Sequence, residues 1–303
     1  MNENVQFDVI IIGGSYAGLS TALGLGRALR KVLVIDSGKP CNRMTPHSHN
    51  FLTRDGVLPS EINRLGRKDL EIYETVSFYN GFASQGSRTK KGFKITTKSG
   101  KFFNSKKLVF ATGIKDIMPD IKGFKESWGI SIIHCPYCHG YEVRNKTTGV
   151  LGNNEYGFEF SKVISNWTKD LTLYTNGTFE LTQEQTKQLS LHKISIVDKE
   201  IVHFKENKGY IDHLLFKDGT TKKIDALYAR TPFVQNSDIP KTLGCEINKM
   251  GYITIDNFQK TTVPGVYACG DNVSLMRSVS NAVAMGTTTA GMLNKELIDQ
   301  EWI

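Results

Sequence analysis

The residues best suited to chemistry are two cysteines separated by two positions and enclosed by two histidines, in the run HCPYCHGYE. In a C-x-x-C pair the sulfurs of Cys135 and Cys138 can close a small ring, and exchange with another disulfide proceeds by thiolate attack. His134 and His139 suit that reaction because an imidazole takes or gives a proton near neutral pH. The spacing therefore predicts a redox-active dithiol with a catalytic histidine on either side.

A zinc site is the other chemistry that such a pair serves, but it needs two further ligands at compatible spacing. The three remaining cysteines stand alone, at Cys41, Cys245 and Cys269. Five cysteines are also too few and too odd in number for a disulfide scaffold. Redox use of the pair is therefore preferred, and no metal site is predicted.

A strand, helix and strand near the amino terminus form the first unit that could position a cofactor. The run FDVIII at 7–12 is typical of a strand buried on both faces, and it leads through GGSYAG at 13–18 into a helical stretch. The second strand, KVLVID at 31–36, ends in an acid. This is the βαβ context that a dinucleotide-binding fingerprint requires.

Each position of that fingerprint has a physical role. Gly13 lets the chain turn off the strand, and Gly18 allows the helix to pack closely against it. Ser15 occupies the middle glycine position, where the backbone approaches a pyrophosphate at the helix N-terminus. Asp36 would accept the ribose hydroxyls. The unit is therefore predicted to bind a dinucleotide.

Two later strands end in residues that suit a return of the chain to the same dinucleotide. The strand KLVFA is followed by Thr112 and Gly113, and GVYACGD ends in Gly270 and Asp271. Asp271 could bind a ribitol hydroxyl or approach the phosphates.

A second βαβ unit begins at residue 149, but its fingerprint is damaged. Its turn, residues 152–157, has Asn154 at the middle glycine position and the bulky Tyr156 inside the loop. Its second strand ends in Thr-Asn-Gly at 175–177, with neither an acid for a 2′-hydroxyl nor arginines for a 2′-phosphate. The fold is expected to be retained while nicotinamide binding is doubtful.

Together these elements predict an α/β protein with two Rossmann-like domains, the second inserted into the first. The first domain is placed at 1–114 and 244–303, and the inserted domain, which carries the cysteine pair, at 115–243. The net charge of +8 is spread over scattered lysines, so no nucleic-acid partner is expected. No apolar run approaches the roughly 20 residues of a membrane span, and no cleavable leader is recognisable at the start. A cytoplasmic protein without membrane contact is expected.

The motifs GGSYAG, ATG at 111–113, C-x-x-C and ACGD resemble those of the low-molecular-weight thioredoxin reductases, which are class II pyridine nucleotide-disulfide oxidoreductases. The resemblance covers essentially the whole chain. It implies FAD in the discontinuous domain, an inserted NAD(P)-binding-like domain with the redox disulfide, and a homodimer. It also implies that Cys138 faces the flavin, that Cys135 exchanges with substrate, and that Asn50 lies near the flavin.

The chain departs from these reductases at several positions. The family has an acid directly after the second cysteine, where this chain has His139, and Ser-Val-Ser-Asn-Ala at 278–282 lacks the Arg-Gln-Ala that touches the flavin ring. The run HCPYCHGYE is similar to the gliotoxin and holomycin dithiol oxidases, in which a histidine beside the first cysteine acts as base and oxygen reoxidises the flavin. Those oxidases use a further histidine near the carboxyl end, and this chain has none after His213.

Three hypotheses follow. The first is an FAD-dependent thiol-disulfide oxidoreductase that oxidises a small dithiol and passes the electrons to oxygen. The second is a thioredoxin reductase that takes electrons from NADPH or, as in a branch that lost the NADPH motifs, from ferredoxin, and reduces a thioredoxin-like protein. The third is a flavin-binding redox sensor without sustained turnover.

Overall fold

The structure is a computed structural model that describes residues 6–302. Within that range the chain divides into two compact units. The first unit comprises residues 6–43, 50–115 and 233–302, and the second comprises 44–49 and 116–232.

The strands and helices are short, except for the last helix. The strands are β1 (Gln6–Ile12), β2 (Val32–Asp36), β3 (Val76–Asn80), β4 (Ala83–Thr89), β5 (Gly92–Thr97), β6 (Phe102–Phe110), β7 (Ile114–Asp116), β8 (Ile132–Ile133), β9 (Thr148–Leu151), β10 (Leu171–Tyr174), β11 (Ser195–Val197), β12 (Ile201–Asn207), β13 (Tyr210–Phe216), β14 (Thr221–Lys223), β15 (Ala226–Ala229), β16 (Phe233–Gln235) and β17 (Val266–Ala268). The helices are α1 (Tyr16–Arg27), α2 (Pro59–Leu70), α3 (Phe124–Ser127), α4 (Pro136–His139), α5 (Asn154–Ile164), α6 (Gln183–Leu191), α7 (Ile239–Thr242) and α8 (Val279–Glu301), with a 3-10 turn at Cys41–Met44.

The first unit is built on a sheet of order β3-β2-β1-β6-β5-β4, with β17 also paired to β6. The strands β3, β2, β1, β6 and β17 are parallel, whereas β5 and β4 are added antiparallel. Val9 and Ile11 pack into one core with α1 and α8, while Ile10 and Ile12 pack into the core on the opposite face. The unbroken apolar run of β1 is explained because both faces of this strand are covered.

The second unit contains a parallel sheet of order β11-β10-β9-β15-β8 and an antiparallel sheet of order β12-β13-β14. Each sheet contributes to a buried apolar core. Two Rossmann-like units, one interrupting the other, agree with the predicted fold class. Among residues 6–302, no helix combines the length and the apolar character needed to cross a bilayer.

The domain boundaries differ in detail from those placed by sequence. The chain returns to the first unit at residue 233 rather than 244, because β16 pairs with β7 and α7 packs against β4. Ile239 is buried in the core of the first unit, and its side chain lies over Gly86. The segment 44–49 also belongs to the second unit, although residues 50–115 of the first unit separate it from the rest of the second unit at 116–232.

Candidate active site

The predicted cofactor-binding residues of the first unit meet at one edge of its parallel sheet. Ile12 is paired with Ile35 on one side and with Phe110 on the other, and Phe110 is paired with Ala268. Because these strands are parallel and end level with one another, the residues that follow them share the carboxyl edge, where open α/β sheets bind ligands. These residues are Gly13, Asp36, Thr112, Gly113, Gly270 and Asp271.

The chain between the end of β1 and the first turn of α1 leaves no room for a side chain at Gly13 or Gly18. Gly13 has a φ of 109°, and a Cβ placed on it would lie 2.1 Å from the carbonyl oxygen of Ala111. A Cβ on Gly18 would lie 1.9 Å from the carbonyl oxygen of Gly13. Ser15 is the N-cap of α1, and its side chain makes no capping hydrogen bond. The first turn of α1 therefore presents N–H groups without a side-chain cap, as a pyrophosphate site requires.

The two predicted acids at this edge are held by cationic side chains. Asp36 is paired with Arg67, which α2 supplies, and its side chain lies against Gly14. The Nε of Arg277 lies 3.8 Å from Oδ2 of Asp271, to which the thiol of Cys41 donates at 3.4 Å. Both carboxylates are thus oriented at the edge where a dinucleotide would lie.

Asn272 was missed by the sequence analysis, although it directly follows the ACGD motif. It is fully buried, and its Nδ2 donates to the carbonyl oxygen of Phe110 at 2.8 Å and to the Thr112 hydroxyl at 3.4 Å. Its Oδ1 is buried without a hydrogen-bond partner in the described part of the chain. An orphaned buried acceptor beside a glycine cradle fits a bound dinucleotide with a donor group. The residues present at this edge therefore fit FAD.

The predicted flavin contact of Asn50 stays a prediction. This residue is exposed and has a φ of 59°, and its backbone N–H donates to Oδ1 of Asp55 at 2.7 Å.

Two residues of α2 near the first glycine turn, Arg67 and Asn63, were also missed by the sequence analysis. Nδ2 of Asn63 donates to the carbonyl oxygen of Gly14 at 3.1 Å. No pattern in the sequence of α2 indicates that this helix packs against the turn between β1 and α1.

The corresponding turn of the second unit is closed by its own side chains. Asn153 is the N-cap of α5, and its Oδ1 accepts from the backbone N–H groups of Asn154 at 2.9 Å and Glu180 at 3.0 Å. Oδ1 of Asn154, a residue with a φ of 51°, accepts from the N–H of Tyr156 at 3.1 Å. Glu155 adds a carboxylate to the first turn of this helix. The N–H groups of Asn154 and Tyr156 at the start of α5 therefore already have side-chain partners, and the carboxylate of Glu155 opposes the positive potential of the helix end.

Tyr156 fills the space beside this turn. Its ring stacks on Phe160 with the centroids 5.3 Å apart, and the guanidinium of Arg230 lies 5.9 Å from the ring centroid. Burial raises the pKa of Tyr156, and the charge of Arg230 only partly opposes this shift. Thr175, which directly follows β10, is buried, and its hydroxyl has no hydrogen-bond partner among the described residues.

The cysteine pair lies on α4, which leaves the carboxyl edge of the second sheet after β8. Cys135 and Cys138 form a disulfide with a Cα–Cα distance of 5.3 Å. Cys135 is the N-cap of α4, and its sulfur accepts a hydrogen bond from the N–H of Cys138 at 3.1 Å. Tyr137, between the cysteines, is 69% exposed, so the redox turn is open to a partner molecule.

The two predicted histidines have different surroundings. The ring of His134 stacks on Trp128 with the centroids 5.9 Å apart. Burial, reinforced by the nearby His49 and opposed by Glu142, lowers the pKa of His139 to about 4. His139 is therefore neutral at pH 7. The sequence analysis missed His49, although the spacing of two histidines in HSH was visible.

A dinucleotide cradle in one Rossmann-like unit and a redox disulfide in the other define the flavin-dependent disulfide oxidoreductases. Residues 7–286 match the pyridine nucleotide-disulphide oxidoreductase family, and the chain belongs to it. Flavin binding follows from this membership, and the predicted resemblance is confirmed.

Individual relatives agree with that assignment. The chain is 32% identical to a thioredoxin reductase of Claviceps purpurea, and the alignment covers 98% of this chain and 96% of the relative. An oxidoreductase structure from Agrobacterium tumefaciens is 32% identical with a TM-score of 0.91, covering 97% of this chain and 99% of that one. The crystal structure of HlmI is 31% identical with a TM-score of 0.92, covering 98% of this chain and 94% of that one.

Proposed function

We propose that this chain catalyses FAD-dependent thiol-disulfide exchange at Cys135 and Cys138, and that its second nucleotide loop does not accept NADPH. A dithiol, or a donor other than a nicotinamide, would then exchange electrons with the protein. The observation that carries the proposal is the closure of the α5 N-terminus by Asn153 and Asn154.

The energetic argument against NADPH has three parts. A phosphate at α5 would have to displace the amide oxygens of Asn153 and Asn154, and it would meet the carboxylate of Glu155. The turn after β10 offers no arginine for a 2′-phosphate. Loss of bidentate arginine contacts alone typically costs a few kcal/mol, which is on the order of a hundredfold or more in affinity.

The FAD would be held by the first unit, at Gly13, Ser15, Gly18, Asp36, Asn50, Thr112, Gly113, Gly270 and Asp271. When bound, it supplies a two-electron redox centre for the disulfide. The backbone of the glycine turn and the N-terminus of α1 would bind its phosphates, and Asp36 would accept its ribose hydroxyls.

The exchange itself is carried by the cysteines. A substrate thiolate attacks Sγ of Cys135, the Cys135–Cys138 bond breaks, and Cys138 leaves as a thiolate. The second substrate sulfur then attacks the mixed disulfide and releases Cys135 as a thiolate, so the substrate leaves oxidised and the pair reduced. Two thiol protons are lost by the substrate: His134 would accept the one from the attacking thiol, and solvent would take the one from the second thiol. The Cys138 N–H that points at Cys135 stabilises the released thiolate.

The two cysteine roles can be separated by substitution. In Cys138→Ser, we expect the substrate to remain bound to Cys135 as a mixed disulfide that mass spectrometry detects. The substrate is either a small dithiol or a thioredoxin-like protein, supplied with one thiol activated as a disulfide. In Cys135→Ser, trapping should fall at least tenfold, because the remaining thiol is the one assigned to face the flavin. Equal trapping in both variants would contradict the assignment.

The electron donor is tested by mixing the anaerobic yellow holoenzyme with NADPH, NADH, reduced ferredoxin or dithiothreitol in a stopped-flow instrument. We expect dithiothreitol or ferredoxin to bleach the flavin and NADPH to do so poorly. Rapid reduction at micromolar NADPH would establish an ordinary thioredoxin reductase instead. The names of the relatives support a disulfide-bearing protein partner, so a thioredoxin-like protein belongs in the same series.

Turnover distinguishes the remaining alternatives. Sustained oxygen consumption with a dithiol supports the oxidase direction, whereas bleaching without turnover identifies a redox sensor. The homodimer implied by the family resemblance is tested in the same preparation by sedimentation.

A further inference from the structure

The helix α2 lies along the first glycine turn with one of its faces. The carbonyl oxygen of Pro59 accepts a hydrogen bond from a tyrosine of α1 at 3.2 Å, and Nδ2 of Asn63 donates to the carbonyl oxygen of Gly14 at 3.1 Å. Arg67, one helical turn further along, is paired with Asp36. Positions 59, 63 and 67 are four residues apart, so they share the face of α2 that meets the turn.

A closed chain of contacts holds the carboxylate of Asp36. A terminal nitrogen of Arg67 donates to Oδ2 of Asp36, and Nε of Arg67 donates to Oδ1 of Asn63 at 3.3 Å. The same asparagine donates to Gly14, and a Cβ on Gly14 would lie 2.8 Å from both Cβ and Cγ of Asp36. The contacts therefore return to the residue at which they begin, and they fix the carboxylate relative to the glycine turn.

The guanidinium of Arg67 is itself held in place. Its central carbon lies 5.0 Å from the centroid of the Phe78 ring on β3, and its Nε and one terminal nitrogen are engaged as described. A planar guanidinium with fixed partners gives its carboxylate partner a defined orientation. A carboxylate accepts several hydrogen bonds, so the one from Arg67 leaves Asp36 able to accept from a hydroxyl group.

We propose that Arg67 and Asn63 are positioning residues that hold the Asp36 carboxylate ready for the ribose hydroxyls of the dinucleotide. Through these two residues, α2 determines how strongly the first unit prefers a ribose to a sugar without hydroxyls. The inference rests on the proposed function because that function assigns the ribose hydroxyls to Asp36. Thiol exchange plays no part in it, so a failure of the exchange chemistry and a failure of this inference appear in different measurements.

The physical basis is the cost of ordering a side chain when a ligand binds. A carboxylate that rotates freely must be ordered by the ribose, whereas a carboxylate that is already held does not carry this cost. The advantage exists only for a ligand that can donate to the carboxylate. A positioning role therefore changes the ratio of two affinities, while a role in folding alone changes both affinities alike.

The test is a competition between FAD and its 2′,3′-dideoxyadenosine analogue, which keeps the flavin and both phosphates but lacks the hydroxyls of the adenosine ribose. The full-length, FAD-loaded protein is brought to equilibrium with mixtures of the two flavins, and the bound flavins are quantified by mass spectrometry. We expect the unmodified protein to prefer FAD by at least about tenfold, as a charged hydrogen bond typically provides. In Arg67→Gln, this preference should fall by at least about threefold.

Two further variants of α2 serve as a matched control and a second test. Arg64→Gln is the control, because the Arg64 side chain is 60% exposed and donates two hydrogen bonds of 2.7 Å to the Glu61 carboxylate. This variant should keep the preference of the unmodified protein. Asn63→Ala removes the link between Arg67 and Gly14 without removing a charge, and it should lower the preference by at least about twofold.

The outcomes that overturn the inference are distinct. An unchanged preference in Arg67→Gln does so, as does an equal fall in Arg67→Gln and Arg64→Gln. If Arg67→Gln does not fold, an unchanged preference in Asn63→Ala decides against the inference. Adding Arg67→Gln to Asp36→Asn should not change the preference further, because Arg67 acts through this carboxylate. A further fall would instead assign Arg67 a direct contact with the ribose. Equal binding of both flavins by the unmodified protein would refute the ribose assignment of Asp36 and the inference together.

Discussion

The two glycine turns of this protein have the same spacing between their first and last glycines, Gly13–Gly18 and Gly152–Gly157, but opposite surroundings. In the first turn, Ser15 leaves the N-terminus of α1 without a side-chain cap and no acid lies in the first helical turn. In the second turn, Asn153 caps α5 and Glu155 adds a negative charge. The N–H groups that could bind a phosphate are therefore left to a ligand in one unit and satisfied by the protein in the other.

This contrast separates the packing of a Rossmann-like unit from the chemistry of its turn. In the second unit a Cβ on Gly157 would lie 2.8 Å from the carbonyl carbon of Gly152, so α5 still packs closely against the end of β9. The chemistry of the turn differs, because the amide oxygens of Asn153 and Asn154 accept hydrogen bonds from N–H groups at the start of α5. The fold of a unit therefore does not by itself specify what its turn binds.

The largest expected effect distinguishes the first glycine of each turn. Gly13→Ala should cost at least about 3 kcal/mol and abolish FAD binding, because the new Cβ would collide with the Ala111 carbonyl at a φ of 109°. Gly152→Ala should cost at most about 1 kcal/mol and keep FAD, since its nearest neighbour would be 3.1 Å away. Thermal unfolding and the flavin-to-protein absorbance ratio measure both. Equal losses in the two variants would remove the distinction between the turns.

The second prediction compares the residues that end the second strand of each unit. Asp36→Asn should weaken FAD binding by about tenfold to a hundredfold, because a charged hydrogen bond typically contributes about 1.5–3 kcal/mol. Thr175→Val should leave FAD binding and stability nearly unchanged, since the Thr175 hydroxyl is buried without a hydrogen-bond partner within residues 6–302. Titration of the apoprotein with FAD provides the measurement. Unchanged affinity in Asp36→Asn would show that FAD does not use this carboxylate.

The third prediction compares the two N-caps. Asn153→Ala should lower the free energy of unfolding by about 1–2 kcal/mol, because its side chain also donates to the Thr178 hydroxyl at 2.7 Å in addition to capping α5. Ser15→Ala should change it by less than about 0.5 kcal/mol, since this serine makes no capping bond. Denaturant titration of the FAD-loaded protein tests both. A larger loss for Ser15→Ala than for Asn153→Ala would reverse our interpretation of the turns.

The smallest expected effect is a difference between the two units in how their stability depends on pH. His139 has a lowered pKa, so the native second unit binds fewer protons than the unfolded chain, and stability is lost as pH falls from 6.5 toward about 4. In the first unit, burial alone would raise the pKa of Glu296, but hydrogen bonds from Lys107, Tyr267 and Lys260 lower it to about 2. The stability contributed by Glu296 is present above pH 4.5 and is lost as pH falls toward 2.

The corresponding measurement is the melting temperature at intervals between pH 7 and 3. His139→Gln should flatten its decline above pH 4, whereas Glu296→Gln should be less stable at pH 7 by about 1 kcal/mol or less and approach the unmodified protein only below pH 4.5. His192→Gln, which changes an exposed histidine of the second unit, is the control for the first variant. A decline that is identical in all four proteins would contradict both assignments.

Much of the fold was predictable because local sequence determines it. The apolar run of β1, the glycine turn and the acid at the end of β2 are close in sequence, and the structure has all three as expected. The first compact unit resumes at residue 233, whereas the sequence places the boundary at 244; Ile239 packs into a core that is distant in sequence, and no local pattern announces such a contact.

The sequence by itself determined the family, the two Rossmann-like units, the redox cysteines and the damage to the second fingerprint, because each is encoded in short spacings of particular residue types. Only the tertiary structure decided that amide oxygens close the second turn, that Asn272 lies beside Thr112, and that His49 reaches Glu142. Asn272 and His49 lie far from these partners in the chain, and the lowered pKa of His139 is caused mainly by burial that only the fold creates. Side-chain proximity and burial are properties of packing, and spacing along the chain does not specify them.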